Sequence, residues 1–154
     1  MDEYISIEKI VTALIVAVPT AWLSAYLSIK KYRTEKWWDK KLSFYLDTIS
    51  ALNNLILYCD SVLDIKCDGM SYSNDQIKSL EAKFHDARLH LQAQVNLGSI
   101  MYNKEAYKAL FDLNNSLFPI ERKNGLVQRA AGIRELADEC IGIVTKNAQK
   151  DLGV

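Results

Sequence analysis

The sequence has few of the residues that interrupt helices. Its 154 residues include six glycines and two prolines, and neither type occurs between Pro19 and Gly69. No segment alternates apolar and polar residues for long enough to suggest a strand, and no repeat or low-complexity tract is present. An all-α fold is expected. Cysteine is also scarce, and Cys59, Cys67 and Cys140 show no paired spacing. That excludes a disulfide scaffold and the usual zinc spacings, and it suits free thiols in a reducing compartment. The two histidines, His85 and His90, point about 140° apart on one helix and cannot share a metal. There is no glycine-rich phosphate loop and no serine in a nucleophile-elbow context, and Glu135, Asp138 and Glu139 read as the outer face of a helix. No catalytic residue, metal or cofactor is expected, so the chain is read as non-enzymatic.

The formal charge is zero, but it is unevenly distributed. Residues 1–9 carry Asp2, Glu3 and Glu8 against Lys9. Residues 30–41 carry Lys30, Lys31, Arg33, Lys36, Lys40 and Lys41 against Glu35 and Asp39. Between these blocks lies IVTALIVAVPTAWLSAYLSI, Ile10 to Ile29, with no charged residue. As a helix this segment would span about 30 Å, the hydrocarbon thickness of a bilayer. A buried core helix in so small a protein would be expected to keep a charged face, which this segment lacks. A cleaved secretory signal would be basic before the apolar run and small-residue-rich after it, the reverse of what is found. Since basic flanks stay on the cytoplasmic side, the charge pattern predicts an inner-membrane protein with its N-terminus outside and its C-terminal domain in the cytoplasm. Lys30, Lys31, Tyr32, Arg33, Trp37 and Trp38 would then lie at the membrane interface, with Tyr4 at the far end.

The expected domains are therefore residues 1–33, holding the transmembrane helix 10–29 and its basic flank, and residues 34–154, a cytoplasmic four-helix bundle of about 120 residues, enough for one core. Leu42, Tyr45, Leu46, Ile49, Leu52, Ile56, Cys59 and Leu63 recur at helical spacing and predict a helix over 34–66, which can continue out of the membrane segment as a stalk. CDGMSYS breaks it. Ser73 and Gln76 form a capping-box pattern ahead of Ile77, Leu80, Phe84, Ala87, Leu91 and Val95, giving a helix over 74–96 that Gly98 ends. Asn103 caps a helix striped by Ala106, Leu110, Leu113 and Leu117, with Phe118 and Pro119 marking the next turn. The last helix starts between Ile120 and Leu126 and buries Leu126, Ala130, Ile133, Ala137, Ile141, Val144 and Ala148.

Within the membrane segment Ala13, Ala17, Ala21 and Ala25 recur every four residues, accompanied by Thr12, Thr20, Ser24 and Ser28. A ridge of small residues lets helices approach closely in lipid, so the expected partners are membrane lipid and further copies of the chain. If the helices form a ring, the hydroxyls can face a wet lumen while Leu14, Ile15, Val18 and Leu23 face lipid. Pro19 removes a backbone hydrogen bond and predicts a kink. Arg122, Lys123, Arg129 and Arg134 make a weak electrostatic footprint, so nucleic acid is not an expected partner.

The layout of a short acidic N-terminus, one span and then KKYRTEKWWDKKLSFYLDTISALNNL, over residues 1–66, resembles small single-pass bacterial membrane proteins of antiviral defence loci. It is most like the accessory membrane-pore proteins that accompany type VI-B CRISPR effector nucleases. The resemblance implies one N-terminal span ahead of a helical domain similar to nucleotide-binding HEPN bundles. The usual signature of those bundles, an Arg followed about five residues later by His, is missing here. Arg129 is followed by Arg134 in RAAGIR, so ribonuclease activity is not implied. The expected function is an oligomeric pore or channel controlled by the cytoplasmic domain; the alternative is a membrane-tethered adaptor that binds a cytoplasmic protein.

Overall fold

The computed structural model describes residues 7–121 and 125–153; the side chains of residues 7–16, Val18 and Glu121 lie outside that description. Among the described residues the fold is all-α, with four helices: α1 (Ile7–Cys67), α2 (Asn74–Met101), α3 (Lys104–Glu121) and α4 (Leu126–Leu152). The chain divides into two compact units, residues 1–40 and 41–154. Among the described residues no helix is long and apolar enough to cross a membrane. Residues 10–16 and Val18, much of the apolar run, are among those whose side chains are not described.

The second unit is an up-down-up-down bundle. Tyr58 of α1 packs on Phe84 of α2 with ring centroids 4.5 Å apart, while Thr48, earlier in α1, meets Tyr102 just past the end of α2, so these two helices run antiparallel. Tyr45 and Asp60 of α1 reach Asp151 and Arg134 of α4 respectively, which makes that pair antiparallel too. Asn103, at the start of α3, bonds to Asn147 near the end of α4. Most of the buried positions follow the alternating three- and four-residue spacing of bundle seams. They are Tyr45, Thr48, Leu52, Leu55, Cys59 and Val62 on α1, and Ala87, Leu91, Gln94 and Gly98 on α2. On α3 they are Ala106, Leu110, Leu113 and Leu117, and on α4 Ala130, Ile133, Ala137, Cys140, Val144 and Asn147.

Several boundaries follow from local chemistry. Gly69, with φ +68°, takes the chain out of α1 through a conformation that favours glycine. The capping box is formed as expected, the Ser73 hydroxyl accepting from Gln76 N–H and the Gln76 side chain from Ser73 N–H. The Asn103 side chain accepts from Ala106 N–H at 2.9 Å and caps α3.

Four expectations need correction. Gly98 does not end α2, which continues to Met101. It is buried, and a Cβ there would lie 2.8 Å from the Tyr102 ring and 3.1 Å from Tyr107, so the glycine serves close packing rather than termination. Phe118 and Pro119 do not mark a turn, since α3 runs through them to Glu121. Pro119 costs only one bond in the last turn, and Ile120 beyond it packs near Gly132 of α4. Leu46, part of the periodic stripe, and Leu126, expected to be buried, are exposed. Leu46 lies about 100° around the helix from Tyr45, off the seam of Tyr45, Thr48 and Leu52, and Leu126 stands in the first turn of α4.

Candidate functional site

Two features stand out, one in each unit. In the first, α1 is helical on both sides of Pro19, and every described side chain from Ala17 to Lys40 is exposed. Exposure is normal for Lys or Glu; here it extends to Trp22 at 69 %, Ile29 at 53 % and, between them, Leu23, Tyr26 and Leu27. Trp22, Tyr26 and Ile29 share one side of the helix, with Leu23 and Leu27 next to them. Trp22 and Tyr26 stack on each other at 5.9 Å. Further along, Lys31 pairs with Glu35 at 3.8 Å, the Lys36 ammonium stands 5.6 Å from the centre of the Tyr32 ring, and the Thr34 hydroxyl donates to the Lys30 carbonyl at 3.0 Å. Tyr32, Trp37 and Trp38 are all at least 40 % exposed.

Of the residues expected to associate or line a pore, Ala17, Thr20, Ala21, Ser24, Ala25 and Ser28 lie exposed on this helix. Thr12 and Ala13 are helical, but their side chains lie outside the described residues. The expected interface residues Lys30, Lys31, Tyr32, Arg33, Trp37 and Trp38 follow directly on the same helix, all exposed.

The second feature was not foreseen from the sequence. At the end of the bundle where α1 enters it, Asp151 of α4 gathers three donors. Tyr45 OH donates to it at 2.6 Å, Lys41 Nζ at 2.9 Å and Asn103 Nδ2 at 3.3 Å. Burial alone would raise the pKa of this carboxyl, but the bonds from Tyr45, Lys41 and Asn103, with the Lys41 charge, outweigh it and hold the group below the ordinary carboxylate value. The same burial and the adjacent carboxylate push the Tyr45 phenol well above its usual value. Asn103 also donates to Asn147 Oδ1 at 2.8 Å, and Asn147 donates to the Ile143 carbonyl. A neighbouring chain joins Thr48, Tyr102, Gln94 and His90. Tyr102 OH meets Thr48 Oγ1 and donates to Gln94 Oε1 at 3.4 Å, leaving the Gln94 amide nitrogen to face His90 Nε2 at 3.3 Å. Phe44 and Tyr45 pack their rings against Tyr102 at 4.9 and 5.1 Å. Together these contacts tie residues 41–48 of α1 to α2, α3 and α4.

Burial pushes the thiols of Cys59 and Cys140 up to about 12, so neither supplies a thiolate near neutral pH. His85 is exposed, and His90 is half-buried in the chain just described. Among the described residues no three His, Cys, Asp or Glu side chains come together to hold a metal. Arg134 is engaged by Asp60 at 2.5 Å, which raises its pKa further, and Arg129 lines a cavity of about 380 Å³ with Tyr58, Cys59, Phe84 and Ile133. Arg122 and Lys123 lie outside the described residues. Compared with known protein families, curated proteins and solved structures, the chain matches none.

Proposed function

We propose that this protein is a non-enzymatic membrane effector. Its segment Ile10–Ile29 spans the inner membrane with the N-terminus outside, and copies associate through that helix into a pore or channel controlled by the cytoplasmic bundle, in bacterial antiviral defence. The observation that carries this reading is the uncovered apolar surface of α1, where Trp22, Leu23, Tyr26, Leu27 and Ile29 are all more than half exposed. Five large apolar side chains left in water would cost roughly 1.5–3 kcal/mol each relative to burial, and lipid or neighbouring helices remove that cost. The ridge of Ala17, Ala21 and Ala25, with Ser24 and Ser28 beside it, supports close helix contact. The resemblance of residues 1–66 in layout to accessory membrane-pore proteins of CRISPR loci motivates the defence role.

The test is leakage of an entrapped dye from liposomes carrying the full chain. Wild type is expected to leak when activated, and Ala17→Leu with Ala21→Leu to leak much less. Absence of leakage from wild type in every activated state would sink the pore. A second reading, a membrane-tethered adaptor, is favoured by a different observation. Leu89, Leu97 and Ile100 on α2 and Phe111 and Phe118 on α3 are exposed on the bundle and offer apolar surface to a cytoplasmic protein. Replacing the span by an unrelated transmembrane helix separates the two, since an adaptor keeps its function and a pore loses it.

A further inference from the structure

Helical geometry sorts the side chains of residues 17–40 onto two unlike faces. At about 100° per residue, Lys30, Arg33, Lys36 and Lys40 fall within an arc of about 120°, with Trp37 inside it. The acidic residues Glu35 and Asp39 lie opposite Trp37, and Lys31, the cation nearest to them, is paired with Glu35. The sixth cation of the block, Lys41, is engaged by Asp151. What began as a basic run in sequence is therefore a one-sided basic face carried by four residues, all exposed.

The same division continues into the apolar part of the helix. Trp22, Leu23, Tyr26 and Ile29 project on the side of the basic arc, while Ala17, Ala21, Ser24, Ala25 and Ser28 project on the side of Glu35 and Asp39. One side is thus mostly small and then acidic, with Leu27, Tyr32 and Trp38 toward it, and the other carries Trp22, Tyr26 and Ile29 and then the basic residues. Close helix contact suits the first; acyl chains and charged headgroups suit the second.

We propose that Lys30, Arg33, Lys36 and Lys40, with Trp37 among them, form a binding face for the phosphates of anionic phospholipids in the cytoplasmic leaflet, and that this face points away from neighbouring copies. The inference rests on the membrane-spanning reading above. Lipid is favoured over other phosphate-bearing partners because the exposed Trp22, Leu23, Tyr26, Leu27 and Ile29 lie within about 12 Å of Lys30 along the same helix, which places the cations at headgroup depth. A basic residue near an anionic surface contributes roughly a fivefold preference, so four should give a large one even after screening by salt. Trp37, 47 % exposed within the arc, provides the amphipathic ring expected at that depth and serves as a reporter.

The full chain carrying Trp22→Phe is reconstituted in phosphatidylcholine vesicles containing spin-labelled phosphatidylglycerol or spin-labelled phosphatidylcholine, and quenching of Trp37 and Trp38 is compared. Phosphatidylglycerol is expected to quench several-fold more effectively, and Lys30→Gln, Arg33→Gln and Lys40→Gln together should bring the ratio close to one. Lys31→Gln, on the other face, should leave it within a factor of two. Equal quenching of the unsubstituted face by both lipids, or an equal loss with Lys31→Gln alone, would overturn the headgroup site and leave the span intact. Quenching by neither lipid would remove the span and the headgroup site together. Relief of phosphatidylglycerol quenching by a single-stranded RNA would assign the face to nucleic acid and overturn the lipid site.

Discussion

Replacing Asp151 by Ala should loosen the bundle at its α1 end. An anion in the last turn of a helix is disfavoured by the helix dipole, so its place there depends on the bonds it accepts from Tyr45, Lys41 and Asn103. Net contributions of about 1.5–3 kcal/mol are typical of hydrogen bonds to charged groups. The Asp151 side chain is 15 % exposed and that of Lys41 22 % exposed, so the ion pair is partly screened. The Tyr45 bond is less so, because Tyr45 is 1 % exposed and its hydroxyl would be left without an acceptor. A loss of about 2–4 kcal/mol follows. For a domain of this size that is a fall in Tm of roughly 10 °C, readable by far-UV circular dichroism of the full chain in detergent. Tyr45→Phe should cost about 1 kcal/mol, since Lys41 and Asn103 remain on the carboxylate. In the double variant the two losses should not add, because both remove the same bond. If Asp151→Ala lies within about 0.5 kcal/mol of wild type, or if the losses add, the cluster does not hold residues 41–48 of α1.

Gly98→Ala should destabilise the same preparation by about 1–3 kcal/mol, although alanine is the better helix former, because the new methyl meets the Tyr102 and Tyr107 rings; a stabilised variant would mean that both rings can move aside. Ser73→Ala removes one half of the capping box and should cost about 1 kcal/mol in a urea titration. Acid should act through Asp151. Its folded pKa is depressed, so the unfolded chain takes up the proton first as pH falls, and the stability it contributes is present above the ordinary carboxylate pKa of about 4 and lost below it. Thermal unfolding followed from neutral pH downward should show that loss in wild type and less of it in Asp151→Asn.

Much of the bundle was legible because apolar residues recur at helical spacing. Ala106, Leu110, Leu113 and Leu117 all lie in the core, and the Ser73 and Asn103 caps are formed. What escaped was polar and internal. Thr48, Gln94 and Asn147 occupy seam positions, yet hydrophobic patterning assigns polar residues to the surface. The signal was present in the spacing, since Tyr45, Thr48, Leu52 and Leu55 keep the alternation only if Thr48 is admitted to the seam. Gly98 and Pro119 were misread for a related reason. Their local meaning is to stop a helix, but the packing of Tyr102 at one and Ile120 at the other carries the helices past them. The basic run of residues 30–41 was visible as charge, whereas its one-sidedness needed the pairing of Lys31 with Glu35 and of Lys41 with Asp151.

The central claim is that α1 meets copies of itself in a membrane. Its most direct test is the mass of the full chain in detergent, measured by light scattering with the detergent contribution subtracted, beside that of Ala17→Leu with Ala21→Leu. A defined oligomer for wild type and a shift toward monomer for the variant are the expected results. A wild-type monomer at every protein-to-detergent ratio would contradict the claim and leave the adaptor reading in its place.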